Sequence, residues 1–89
     1  MAAKTPNNVY RDNFGGENIV VAQFTSTTLD DTDTWTQSVP GYIGHMFQQT
    51  NNPTTQASAG VSVAYSSGVF TFYPGENGAT GDLIIRVNA

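Results

Sequence analysis

Few residues in this 89-residue chain could do chemistry, and their spacing does not favour it. His45 is the one histidine, and there is no cysteine. Nucleophilic hydrolysis needs a serine or cysteine beside a base that a third group orients. His45 has no second histidine, no cysteine and no carboxylate at triad or metal-ligand spacing, so it reads as a surface or interface histidine. Asp30-Asp31-Thr32-Asp33 is the one charge cluster. Its Asp31-x-Asp33 core imitates the start of a calcium loop. A full loop would need glycine where Thr36 stands and a bidentate glutamate where Tyr42 stands. The same carboxylates can instead accept backbone N–H bonds in an Asx-turn. Gly75-x-x-Gly78-x-x-Gly81 has the look of a phosphate loop, but no Walker lysine, no GxGxxG and no helix signal accompany it. Asn52-Pro53-Thr54 is not a glycosylation acceptor, because proline holds the middle position. No catalytic, cofactor-binding or metal-binding set emerges, and the reading is of a protein that is not an enzyme and takes no cofactor or small-molecule substrate.

Charge narrows the partners. The net charge is −4, and Lys4, Arg11 and Arg86 are too few and too scattered for a nucleic-acid footprint. Charged residues make up 11% of the chain against about 25% in a typical domain. Solubility then falls to Thr, Ser, Asn and Gln, a composition common in extracellular and viral β-proteins. Met1 to Asn13 lacks the apolar run of about 7–15 residues that a secretory signal needs. No stretch reaches the roughly 18 apolar residues of a membrane helix, so neither nucleic acid nor membrane is an expected partner.

The elements that must position these residues are strands. In Gly60 to Tyr73, Val61, Val63 and Tyr65 alternate with Ser62, Ala64 and Ser66, and Phe70 and Phe72 alternate with Val69, Thr71 and Tyr73. Ser66-Ser67-Gly68 between them makes a β-hairpin, with five large residues facing one core. Glu17 to Phe24 reads as a strand with Ile19, Val21 and Gln23 on one face and Val20, Ala22 and Phe24 on the other. Thr25 to Leu29 can extend it. Trp35 reads as a core residue. Val39-Pro40-Gly41 is a turn, Tyr42 to Thr50 a strand, Asn51 to Ala59 a polar loop, and Gly81 to Val87 a last strand with Leu83, Ile85 and Val87 inward. No segment sustains a helical period. The fold class expected is all-β: a small antiparallel β-sandwich or barrel of about 6–8 short strands, with an extended N-terminal arm. The arm spans 1–14 and the β domain 15–89. Pro6, Asn7, Asn8 and Asn13 disfavour regular structure in the arm, so it is expected to order against a partner, through Val9, Tyr10, Arg11 and Phe14.

From Asp30 onward the chain resembles small virion proteins of tailed bacteriophages. The likeness is carried by a turn followed by Asp33-Thr34-Trp35, an apolar strand, the run NPTTQASAGV from Asn52 to Val61, and a hairpin ending FTFYPGEN at Phe70 to Asn77. None of these is a catalytic motif, and the family pattern transfers no site residue. The resemblance is closest to capsid decoration (cement) proteins. It implies a non-enzymatic structural protein on the capsid surface of a virion, bound to the major capsid protein and to neighbouring copies as a dimer or trimer. Several strands carry little charge and no lysine gatekeeper, which fits edges covered in an assembly. The alternative is a receptor- or carbohydrate-binding module of a phage fibre or tail, for which Trp35, Tyr42, Tyr65 or Tyr73 would supply a stacking platform.

Overall fold

A computed structural model describes residues 2–51 and 60–88. The described residues form seven β-strands and no helix: β1 (Asn8–Phe14), β2 (Glu17–Leu29), β3 (Thr34–Thr36), β4 (Tyr42–Gln49), β5 (Val61–Ser66), β6 (Val69–Pro74) and β7 (Ala79–Val87). They make two antiparallel sheets, one ordered β1-β2-β7-β4 and the other β3-β6-β5. The sheets pack face to face as a small β-sandwich, the expected class. The polar loop read at Asn51 to Ala59, with its Asn52-Pro53-Thr54 triplet, lies beyond Asn51 outside the described residues.

Alternation builds the core. Val20, Ala22 and Phe24 of β2 and Leu83, Ile85 and Val87 of β7 face Trp35 of β3 and Phe70 and Phe72 of β6. Phe24, Phe70 and Phe72 are fully buried. Their rings meet at centroid distances of 5.1 Å for Phe24–Phe72 and 5.5 Å for Trp35–Phe70, the latter stacked. Burying an aromatic side chain contributes about 1.5–3 kcal/mol, so this cluster is the main support of a small domain. β2 continues through Thr25–Leu29. Its register against β7 jumps from Phe24↔Gly81 to Leu29↔Ala79. The extra residues bulge, and the bend carries Leu29 into the core, where it is fully buried.

Turns follow the residues that permit them. Ser67 and Gly68, with φ of 50° and 82°, form the two-residue loop of the β5–β6 hairpin. Val61 and Val63 on that hairpin are half-buried, and Phe70 and Phe72 complete the same face. Gly15 and Gly16, with φ of 60° and 86°, form a second loop of the same kind between Phe14 and Glu17.

That second loop corrects the expectation for the N-terminal arm. Asn8–Phe14 is not a detached segment but the edge strand β1, paired with β2 from Asn8↔Gln23 to Phe14↔Glu17. The residues before it also belong to the fold. Lys4 N–H donates to Thr34 C=O at 2.7 Å, and Thr34 N–H donates to Ala2 C=O at 2.8 Å, beside β3. Asn7 N–H then donates to Gln23 C=O at 2.9 Å, beside β2. Asn7 Oδ1 accepts the N–H groups of Thr25 and Ser26 at 2.8 and 3.1 Å, just where the bulge removes their ladder partners. Residues 2–7 thus lace one sheet to the other along one side of the sandwich.

Candidate interaction surfaces

The Asp30–Asp33 cluster is a structural knot. Asp33 is 2% exposed. Its Oδ1 accepts the N–H of Ala2 at 3.0 Å and its Oδ2 the N–H of Asp30 at 2.7 Å. Asp30 Oδ1 accepts Gly78 N–H at 2.9 Å. Asp31 N–H donates to Asn77 Oδ1 at 3.0 Å. Thr32 takes a left-handed φ of 63° to close the turn. Burial pushes the Asp33 carboxyl up, but the two backbone N–H bonds and the Lys4 ammonium at 3.6 Å outweigh it and hold the group below the ordinary carboxyl range. These carboxylates accept backbone hydrogen bonds, as an Asx-turn does, and no group of three metal-ligating side chains occurs among the described residues.

His45 is half-buried and turned toward the other sheet. A bulge at Ile43, between the pairs Tyr42↔Val87 and Gly44↔Arg86, turns Tyr42, His45 and Phe47 inward together. His45 Nε2–H donates to Val63 C=O at 2.8 Å. Its Nδ1 is then the acceptor for the Tyr42 hydroxyl. Tyr42 lies over Tyr65 with ring centroids 4.2 Å apart. Burial, with Tyr65 beside it, pushes the Tyr42 hydroxyl up. Gln49 Oε1 accepts Gly60 N–H at 2.8 Å. These side chains close the gap between the edges of β4 and β5, so the ring is a fastener and its nitrogens are engaged.

The aromatic residues named for a stacking platform do not converge. Trp35 is buried in the core, Tyr42 and Tyr65 cover each other in the β4–β5 seam, and Tyr73 stands on the outer face of the small sheet. The arm residues named for partner binding divide as well. Val9 and Arg11 lie on the inner side of β1, where with Val20, Gln37, Val39 and Pro40 they line a shallow cleft. Tyr10 points to the opposite side. Phe14 ends β1 beside the glycine loop.

The outer face of the large sheet carries the surface that strand reading alone did not assemble. Register places Tyr10 beside Val21, Val21 beside Ile84, and Ile84 beside Met46. This apolar row crosses all four strands. Met46 at its end is 60% exposed, while Val21 within it is shielded to 5%. Ile19 extends the row, and Ile43 projects from the bulge at 49% exposure. One flank holds Asp12, Ile19 and Arg86; the other holds Asn8, Gln23, Asp82 and Gln48. Arg86 is held by Glu17 in a two-pronged pair, at 3.0 and 2.6 Å. The hint in the sequence was that β2 and β7 are apolar on both faces. Val21, Ile84 and Met46 fall into one row only once the strand order is known.

The outer face of the small sheet differs. Thr34, Thr36, Ser62, Ala64, Ser66, Val69, Thr71 and Tyr73 leave it without a charge. No protein-family model, curated protein or solved structure matches this chain.

Proposed function

We propose that this chain is a non-enzymatic structural protein of a virion, one that decorates and cements a capsid by binding the major capsid protein and neighbouring copies. The observation that carries the reading is the apolar row Tyr10–Val21–Ile84–Met46, open at its two ends, Tyr10 and Met46, on a sheet face that no other described strand covers. An apolar stripe bordered by polar residues marks a surface that meets another macromolecule. The polar side chains best suited to a reaction centre are instead spent on backbone hydrogen bonds, Asp33 in the turn and His45 in the seam. The sequence likeness to phage virion proteins from Asp30 onward supports the same reading. An adhesive role needs broad faces for neighbours to meet, and the small sheet offers an uncharged one while the large sheet offers an apolar row with a charged border.

The test is composition. Particles of the source virus are purified and the copy number of this chain is measured against the major capsid protein by quantitative mass spectrometry. A number comparable with the capsid protein is expected. A handful of copies would move the protein to the neck or tail, and absence from particles would overturn the proposal.

A further inference from the structure

We propose that the outer face of the large sheet is the side that meets the capsid, and that it takes a partner surface presenting a lysine or arginine among apolar side chains, with the cation seated on Asp82. This rests on the capsid-binding reading above and deepens it. Asp82 lies between Gln23 and Gln48 in the row beside Val21 and Ile84. Asp82 is half-buried, so a partner can approach its carboxylate, and no donor among the described residues reaches its shielded Oδ1. A buried acceptor left unpaired is costly, and native structures rarely keep one without a use.

Charge chooses the occupant. Asp12 and Asp82 border the apolar row, and the one cation on this face, Arg86, is held by its own Glu17. Lys4 pairs with Asp33 in the turn, and Arg11 lies on the inner side of β1. A second copy docked face to face would therefore bring the same two carboxylates, with its Arg86 equally committed. A cation-bearing partner supplies what the face lacks, and like-charge contact disfavours self-docking here. Contacts between neighbouring copies then fall to the strand edges and the uncharged outer face of the small sheet.

The experiment adds full-length chain to capsids stripped of it and measures binding by co-sedimentation at several salt concentrations. Melting temperatures confirm that each variant is folded; Met46 is exposed enough to change without touching the core. Met46→Glu and Asp82→Lys are each expected to weaken binding about ten-fold or more, and Asp82→Asn to weaken it and flatten its salt dependence. Ser62→Glu, on the other sheet, is expected to leave capsid binding unchanged at low occupancy, where neighbouring copies do not meet. Where the partner cation is a lysine, a carbodiimide coupling should join it to Asp82; where it is an arginine, charge reversal of that arginine should restore binding of Asp82→Lys. Wild-type binding to capsids that Met46→Glu leaves intact would overturn this assignment of the face alone, as would an Asp82 cross-link to a second copy. A wild-type chain that fails to bind capsids at all would overturn the cementing function, and this inference with it.

Discussion

Single residues hold the turns and the core, and three of them can be tested directly. Phe70 is fully buried and touches Trp35, Tyr42, His45 and Tyr65 through ring contacts. Phe70→Ala is expected to cost about 3–5 kcal/mol, read as the loss of unfolding free energy in urea. Gly81 is set by space. A Cβ there would stand 2.2 Å from the Gln48 carbonyl oxygen and 2.5 Å from the Phe47 ring. Because one of those atoms is backbone, Gly81→Ala must move β4 away from β7, at a cost of at least about 1–3 kcal/mol. Asp33 couples stability to pH. Its carboxyl is held below the ordinary value in the folded state, so the stabilisation is fully present above the ordinary carboxyl range. It is lost as pH falls below about 4 and through the folded value. Asp33→Asn is therefore expected to destabilise the protein at neutral pH by about 1–3 kcal/mol, because the amide keeps one acceptor oxygen, leaves one of the two N–H groups unpaired and removes the charge facing Lys4. It is also expected to flatten the acid side of the stability curve. A melting series from pH 2 to 7, run with EDTA and with calcium, checks this. The turn reading expects the two series to coincide, and a calcium-dependent rise in melting temperature would contradict it.

The elements were legible in the sequence wherever period and turn chemistry agreed. The β5–β6 hairpin, the two faces of β2 and the inward residues of β7 follow from alternation, because each strand has one face on the core. Two features escaped for physical reasons. β1 carries Arg11 on its core side and Asp12 on its outer side, so no apolar alternation marks it. The signal that could have found it was Gly15-Gly16, a two-residue loop in which both residues take positive φ, between runs able to pair. The bulge at Ile43 was invisible because it adds one residue to β4, and one residue exchanges the faces of everything on one side of it. That is why Tyr42, and not Ile43, joins His45 and Phe47 in the seam. The N-terminal lacing makes its own prediction. Residues 2–7 contribute backbone bonds to both sheets and the Asn7 plug of the β2 bulge. Each such bond contributes about 0.5–1.5 kcal/mol, and each kcal/mol moves the melting point of a domain this size by about 4–8 °C. Deleting residues 2–7 is expected to lower the melting temperature clearly, and Asn7→Ala to lower it by a smaller amount. An unchanged melting point would show that these bonds are not made in solution.

At the scale of the whole molecule the two long sides of the sandwich are closed by different means. One side is laced by backbone, through Ala2, Lys4 and Asn7. The other is joined by side chains: His45 to Val63, Gln49 to Gly60, and Tyr42 against Tyr65. Between them β2 and β7 are hydrogen-bonded on both edges and carry most of the buried aliphatic residues. Local opening follows such differences, because a segment with few buried contacts opens without disturbing the rest. Amide hydrogen exchange is therefore expected to be slowest in β7 and in β2 from Val20 to Phe24. It should be faster at the β1 edge, and in β5 it should depend on the seam. His45→Ala removes the donor to Val63 and the partner of the Tyr42 hydroxyl while leaving Phe24, Phe72 and Leu83 in place. It is expected to speed exchange in β5 and β4 selectively, with the amides of β7 still protected. Equal acceleration throughout would mean that the two sheets open as one cooperative unit and that the seam is not a separate fastener. The result bears on the proposed adhesive role, because a body clamped between neighbours would transmit load only if its two sheets do not part. In that setting a variant with a loosened seam should bind capsids as the wild type does, through the unchanged outer face of the large sheet, yet protect them less against heat.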